Sequence, residues 1–218
     1  LALNPERFEE LKRGASMGRN FGLEVEVVGP AEIRARYPLL NLDRVVGGVF
    51  LPKDGQTNPI DTTLALAKGA RLRGARIVEG VKVERILVAN GRAVGVRTPV
   101  GEVRAETVVL AAGMWSWWLA RDIGVHLPLH PAEHFYIVTE PIPDLPRDLP
   151  VLRVPDECAY YKEDAGKILL GCFEPEAKPW GMDGIPEEHA FETLPEDFDH
   201  FAPILEMATR RLPILERA

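Results

Sequence analysis

The stretch Thr107-Val108-Val109-Leu110-Ala111-Ala112-Gly113 is apolar from end to end, without the alternation that leaves one side of a strand wet. Such a strand is expected inside a sheet covered on both faces, which demands a layered fold with elements packed above and below it. Its end is built from small residues, which allow either close packing of backbone or the close approach of a ligand. Trp115 to Arg121 then reads as a short helix closed by Gly124. A helix placed there points its free amides and positive dipole end outward, where a phosphate group is stabilised.

The residues before this strand read as an antiparallel meander. Val81 to Val88 has strand character, Asn90-Gly91 is a hairpin signal because both central positions need positive φ, and Arg92 to Thr98 returns. A turn near Pro99-Val100-Gly101 leads into a third strand at Val103 to Ala105. Two asparagine–proline pairs, Asn4-Pro5 and Asn58-Pro59, start helices, the amide side chain capping free N–H groups and the proline fitting the first turn. The first helix carries Phe8, Leu11 and Ala15 and stops near Gly22. The second carries Ile60, Leu64, Ala67 and Leu72, stops near Gly74 and feeds a strand at Ala75 to Val78.

Between those helices, Leu23 to Val28 alternates with period two, Pro30 opens a short helix that ends before Pro38, and Gly47 to Leu51 reads as a strand. Beyond the apolar run, strands are expected at 134–139, 151–153, 158–162 and 167–173, the last two forming a hairpin around Asp164-Ala165-Gly166. Five prolines between Pro141 and Pro155 keep that segment largely irregular. Phe198, Phe201, Leu205, Ala208 and Leu212 give a final amphipathic helix. The fold class is α+β, and no internal repeat is present.

Composition narrows the function classes. The chain of 218 residues is 46% hydrophobic and 27% charged, as in an ordinary globular protein, and its net charge is −7 with no basic stretch, so nucleic acid is not an expected partner. No apolar run approaches the roughly 20 residues that span a bilayer, and no signal peptide is recognisable. No metal site is expected. Cys158 and Cys172 fall on neighbouring strands and are read as reduced core thiols, a disulfide between them remaining open. Leu1 in place of a starting Met, and an end at Ala218 without a stop signal of its own, give the expectation of an internal piece.

Several stretches together resemble the D-amino-acid-oxidase superfamily of FAD enzymes. These are Asp54-Gly55-Gln56-Thr57-Asn58-Pro59, Ala65-Leu66-Ala67, Gly74-Ala75-Arg76-Ile77, and Glu106 through Ala111-Ala112-Gly113-Met114-Trp115-Ser116. Within that superfamily, Leu129-His130-Pro131-Ala132-Glu133-His134-Phe135-Tyr136 is similar to the dimethylglycine/sarcosine dehydrogenase branch. So are Leu149-Pro150-Val151-Leu152-Arg153, Tyr160-Tyr161 and Leu170-Gly171-Cys172-Phe173-Glu174-Pro175. The resemblance implies that residues 1–125 belong to a partial FAD-binding domain with its β-meander, interrupted by an early substrate-domain segment around 23–52. Residues 126–218 are then a partial substrate domain on an antiparallel sheet.

The same resemblance implies roles. Gly80, Val81 and Lys82 would lie near the adenine, and Ala111, Ala112, Gly113 and Trp115 against the flavin nucleotide, with Gly113 leaving room where a Cβ would push the cofactor away. His134 and Tyr160 would line the substrate pocket, where an imidazole or phenol orients an amine and manages its proton. Alternation along the strand puts Tyr161 on the opposite face from Tyr160. Trp115, Trp117 and Trp118 read either as a cage for a methylated ammonium or, better, as packing around a short helix. The implied substrate is a small N-methylated amine. The implied reaction is oxidative demethylation by hydride transfer to FAD, the product being trapped by water or by tetrahydrofolate in a separate domain of the parent. A D-amino-acid or glycerol-3-phosphate oxidising relative, and a non-catalytic regulatory relative, are the other readings. The expected setting is the bacterial cytoplasm or the mitochondrial matrix.

Two features of these enzymes are missing from the 218 residues: the Gly-x-Gly-x-x-Gly turn that holds the pyrophosphate, and the flavin-linking histidine in a Trp-His-Ala-Ala-Gly setting. Neither His126 nor His130 stands in that setting, so no covalent attachment is expected here. The 218 residues alone are expected to bind FAD weakly or not at all.

Overall fold

The computed structural model describes residues 1–217. It divides into two compact units, one formed by 1–56, 134–177 and 193–218, the other by 57–133 and 178–192. The N-terminal residues are tied into the first unit. Ala2 bridges to Gly47, and Asp156 accepts hydrogen bonds from the Leu3 amide and the Arg7 guanidinium, both at 3.0 Å.

In this unit, helix α1 (Pro5–Asn20) starts where Asn4 accepts from the Arg7 amide, and α2 (Pro30–Arg36) starts at a proline. Strand β1 (Glu26–Val28) pairs antiparallel with β2 (Gly48–Phe50). The main sheet consists of β6 (Tyr136–Val138), β7 (Leu152–Val154), β8 (Ala159–Asp164) and β9 (Lys167–Cys172), all antiparallel in the order β6-β9-β8-β7. One face of it is dry. Leu152, Tyr161 and Leu170 lie directly opposite one another and share one buried core with Phe201, Ile204 and Ala208 of helix α5 (Phe198–Arg211) and with Leu212 just past its end. The alternation on β8 is regular, with 159, 161 and 163 inward and 160 and 162 half-exposed. Cys172 is buried, Cys158 half-buried, and both thiols are free.

The second unit holds α3 (Pro59–Leu72), capped by Asn58, and the meander β3 (Arg85–Ala89), β4 (Arg92–Thr98) and β5 (Gly101–Arg104). The Asn90-Gly91 turn has positive φ at both residues, 50° and 75°. A short helix, α4 (Ser116–Arg121), follows a 3-10 turn at Gly113–Trp115. Two sequence expectations change here. Residues 107–112 form no strand, and Val109 is 81% exposed rather than covered on both faces. Residues 75–78 form no strand either, and Ile60, Leu64 and Leu72 of α3 are exposed. The physical reason is shared: a fully apolar strand of the parallel type is defined by neighbours on both sides, and among the described residues only β3, β4 and β5 form a sheet in this unit, pairing with each other.

Gly95 in the middle of β4 has φ 150°, and a Cβ there would lie 2.1 Å from the Val103 carbonyl oxygen. Because that neighbour is backbone, Gly95→Ala is expected to cost about 3 kcal/mol or more in the stability of this unit, measured by urea unfolding. A loss below ~1 kcal/mol would show that the β4–β5 register can shift to accept a methyl group.

Candidate active site

Tyr160 stands on the open face of the four-stranded sheet, in a row running Arg153, Tyr160, Gly171, Tyr136 across β7, β8, β9 and β6. The glycine in that row is what lets the ring lie down. A Cβ on Gly171 would sit 2.1 Å from Cζ of Tyr160 and 2.2 Å from its hydroxyl, so the phenol occupies the volume that a side chain would fill. Leaning this way, the Tyr160 hydroxyl meets Nε2 of His134, just ahead of β6, at 3.0 Å. The two rings are nearly parallel, 12° apart in plane with centroids 6.0 Å apart.

Phe173, two residues past Gly171 and exposed, closes the group: its centroid is 4.9 Å from that of His134 and 5.4 Å from that of Tyr160. The Arg153 guanidinium carbon lies 5.0 Å from the same ring. Burial, with Cys172 and Tyr136 nearby, raises the pKa of Tyr160, so its phenol is neutral at ordinary pH. On the opposite face, Tyr161 is fully buried, and its hydroxyl has no hydrogen-bond partner among the described residues. The two adjacent tyrosines are thus separated by the pleat as the sequence indicated. Phe173, Gly171 and Arg153 entered the sequence reading only as carriers of the family resemblance, with no place in the site. Only the strand glycine opposite a tyrosine carried a signal, that of a close approach.

Beneath this group, Glu174 accepts from the Cys172 thiol at 3.3 Å and contacts Nε2 of His200 at 3.2 Å. Burial raises the Glu174 pKa, but hydrogen bonds from its own amide, Cys172 and His200 outweigh it and hold the carboxylate below its usual range. Cys172 is pushed up to about 12, first by burial and then by Glu174, so it is a neutral thiol rather than a nucleophile. Among the described residues no cluster of His, Cys, Asp and Glu has the arrangement of a metal site, and no helix is long and apolar enough to cross a membrane.

The other residues singled out by sequence belong to the second unit. Gly80 has φ 69° and open space around its missing Cβ, Val81 is half-buried, and Lys82 pairs with Glu187 at 2.6 Å. Ala111 and Ala112 lead into the turn at Gly113, which has φ 53° and again nothing within 4 Å of a built Cβ. Trp115 is 41% exposed. Trp117 and Trp118 meet edge to face, with Arg121 over Trp117, which is packing around a short helix rather than a cage. Backbone that is open at both glycines, and unpaired through 106–111 among the described residues, fits one flank of a large planar nucleotide. The pyrophosphate-holding turn is not in this sequence.

Comparison with known proteins gives the frame. The chain is 33% identical to the mitochondrial dimethylglycine dehydrogenase of Rattus norvegicus, over 100% of this chain and 26% of that protein. It is equally 33% identical to the mitochondrial pyruvate dehydrogenase phosphatase regulatory subunit of Mus musculus, over 99% of this chain and 26% of that protein. It thus spans about a quarter of the length of these curated relatives. Among solved structures, L-proline dehydrogenase from P. horikoshii is similar in fold, with a TM-score of 0.81 at 23% identity, over 100% of this chain and 56% of that one. With residues 1–218 all matching the family described as FAD dependent oxidoreductase, this chain belongs to that family.

Proposed function

We propose that this chain provides the substrate face and one flank of the flavin site of an enzyme that oxidises N-methylated amino acids of the dimethylglycine or sarcosine type. The observation that carries the reading is the His134–Tyr160 hydrogen bond on an open sheet face, in a chain similar throughout to a dimethylglycine dehydrogenase. Gly80, Val81 and Lys82 would hold the adenine end of FAD, and Ala111, Ala112, Gly113 and Trp115 its flavin end. FAD, when bound, supplies the acceptor for the hydride that leaves the N-methyl carbon.

The chain's own residues manage the proton. An amine releases hydride only from its uncharged form, so the ammonium must first lose a proton. The Tyr160 oxygen accepts it while the phenolic proton passes to Nε2 of His134, leaving the phenol neutral again and the imidazole charged. The oxidised one-carbon unit then passes to water, or to tetrahydrofolate held by a separate domain of the parent. Anaerobic titration of the flavin-loaded full-length protein with dimethylglycine and sarcosine is expected to bleach the oxidised-flavin absorbance. Glycine betaine, whose quaternary nitrogen has no lone pair, is expected to leave it unchanged. A second reading, a non-catalytic relative that binds a protein partner, is favoured by the equal likeness to the phosphatase regulatory subunit. No bleaching with either amine would overturn the enzyme reading in its favour.

A further inference from the structure

We propose that His200 on α5 is a positioning residue, which acts from beneath the sheet through Phe135 and Glu174 to hold His134 and Phe173 against one another. This rests on the enzyme reading above. The need for such a residue comes from the backbone. The regular β6–β9 ladder ends at Tyr136 and Gly171, and one more bond follows, from the Cys172 amide to the Phe135 carbonyl at 3.3 Å. The next bond joins the Glu133 amide to the Lys178 carbonyl at 2.8 Å, so residues 173–177 leave the ladder in between. Phe173 and Glu174 open that excursion. The Phe173 amide is tied to the Cys158 carbonyl at 2.7 Å, which fixes it to the β8 side and not to His134. Ladder bonds therefore do not set the spacing of Phe173 and His134, although that contact orients the ring that meets Tyr160.

His200 reaches both strands at that point. Its ring centroid lies 5.0 Å from that of Phe135, and its Nε2 is 3.2 Å from Oε1 of Glu174. Phe135 and Glu174 are the chain neighbours of His134 and Phe173. One side chain below the sheet thus grips the neighbour of each of the two rings that meet above it at 4.9 Å. The Glu174 side chain is ionised and only 9% exposed, so its oxygens must be met by donors: Oε2 takes the Cys172 thiol, and Oε1 faces His200. An ionised carboxylate can only accept, which puts a hydrogen on Nε2 of His200. His200 is itself held in place, its amide donating to the Asp197 carboxylate at 2.9 Å at the start of α5. Without the donor on His200, Glu174 turns toward water and carries Phe173 with it. The imidazole of His134 then loses the ring that keeps it aimed at the Tyr160 hydroxyl.

The test uses the flavin-loaded full-length protein and three variants. His200→Phe keeps a ring against Phe135 and removes the donor, His200→Gln returns a donor on a side chain of similar reach, and Glu174→Gln removes the charge that His200 meets. In stopped-flow reduction by dimethylglycine, His200→Phe and Glu174→Gln are each expected to lower the limiting rate about ten- to hundredfold, as a misplacement of about 1 Å does, with amine affinity kept within about threefold. His200→Gln is expected to recover most of that rate, because its amide again donates to Glu174. Added to Tyr160→Phe, His200→Phe is expected to cost less than about threefold more, since both act through one contact. A crystal structure of the His200→Phe protein gives a readout that needs no turnover, and is expected to show Phe173 withdrawn from His134 and the His134–Tyr160 hydrogen bond open. A limiting rate within about threefold of wild type, an undiminished cost in the Tyr160→Phe background, or an unmoved Phe173 would overturn the proposal and leave His200 as packing for Phe135. Should His200→Phe fail to fold, Glu174→Gln decides by the same measurements. The two readings fail separately: a wild-type flavin that no amine reduces, with Phe173 displaced in the variant, sinks the enzyme reading and keeps His200 as the residue that places Phe173.

Discussion

Under the function proposed above, Gly171→Ala is expected to slow reduction of the flavin by dimethylglycine about 100-fold or more in the full-length protein, while leaving the fold largely intact. The new methyl group would meet Cζ, the hydroxyl and Cε1 of Tyr160 at 2.1 to 2.6 Å. None of these atoms is backbone, so the phenol can swing outward and the strands can keep their register. The cost to stability is therefore small, about 1–2 kcal/mol, an amount usual for a local repacking. The cost to chemistry is large, because a displaced phenol no longer reaches Nε2 of His134, and removing a positioned proton-transfer group typically costs 10²–10⁴ in rate. Stopped-flow reduction and thermal melting of one variant measure the two quantities side by side. A rate within about threefold of wild type would show that the hydroxyl position is not critical.

Arg211→Met is expected to give the largest loss of stability, about 3–5 kcal/mol, as breaking a buried charge pair typically does. Arg211 lies at the end of α5 and is 5% exposed. Its Nη2 and Nε reach the two oxygens of Glu157 at 2.7 and 3.1 Å, and Nη1 donates to the carbonyls of Asn41 and Asp43. Its own carbonyl accepts from the Asn41 amide at 2.8 Å. One side chain thus ties α5 to the loop after α2 and to the turn before β8. Removing it strands the Glu157 carboxylate and two carbonyls, none of which the thioether of methionine satisfies. Urea unfolding followed by circular dichroism measures the loss. If Arg211→Met and Glu157→Gln each cost less than about 1 kcal/mol, the pair is not a structural anchor.

What the sequence conveyed depended on how local its cause was. Asn4-Pro5, Asn58-Pro59 and Asn90-Gly91 act through their own backbone, and the elements they start or turn stand where expected. Alternation along β8 separated Tyr160 from Tyr161 correctly, since the pleat is a property of one strand. Thr107 to Gly113 misled for the opposite reason: apolarity records what should cover a strand, and the strands to pair with it are not among the described residues of its unit. Sheet order was equally hidden, since β6 finds β9 rather than β7. His134 and Tyr160 were named through the family resemblance, an imidazole and a phenol being side chains that suit proton handling. Gly171 and Phe173 matter through what lies beside them. Arg211 looked like any cation at a helix end until its partners, 54 and about 170 residues away, were in place.

The first unit is assembled from three separate stretches of chain, and that has a consequence for synthesis on the ribosome. Asn41 and Asp43 acquire their guanidinium partner only after Arg211 has been made, 170 and 168 residues later. At about 5–20 residues per second, α1, α2 and the β1–β2 pair emerge on the order of ten seconds before the helix that completes their core. During that interval the nascent chain presents Leu3, Val28, Ile33 and Leu40 without the cover they have in the finished unit. Translation rate and early chaperone capture therefore bear on the yield of this protein more heavily than its final stability alone implies.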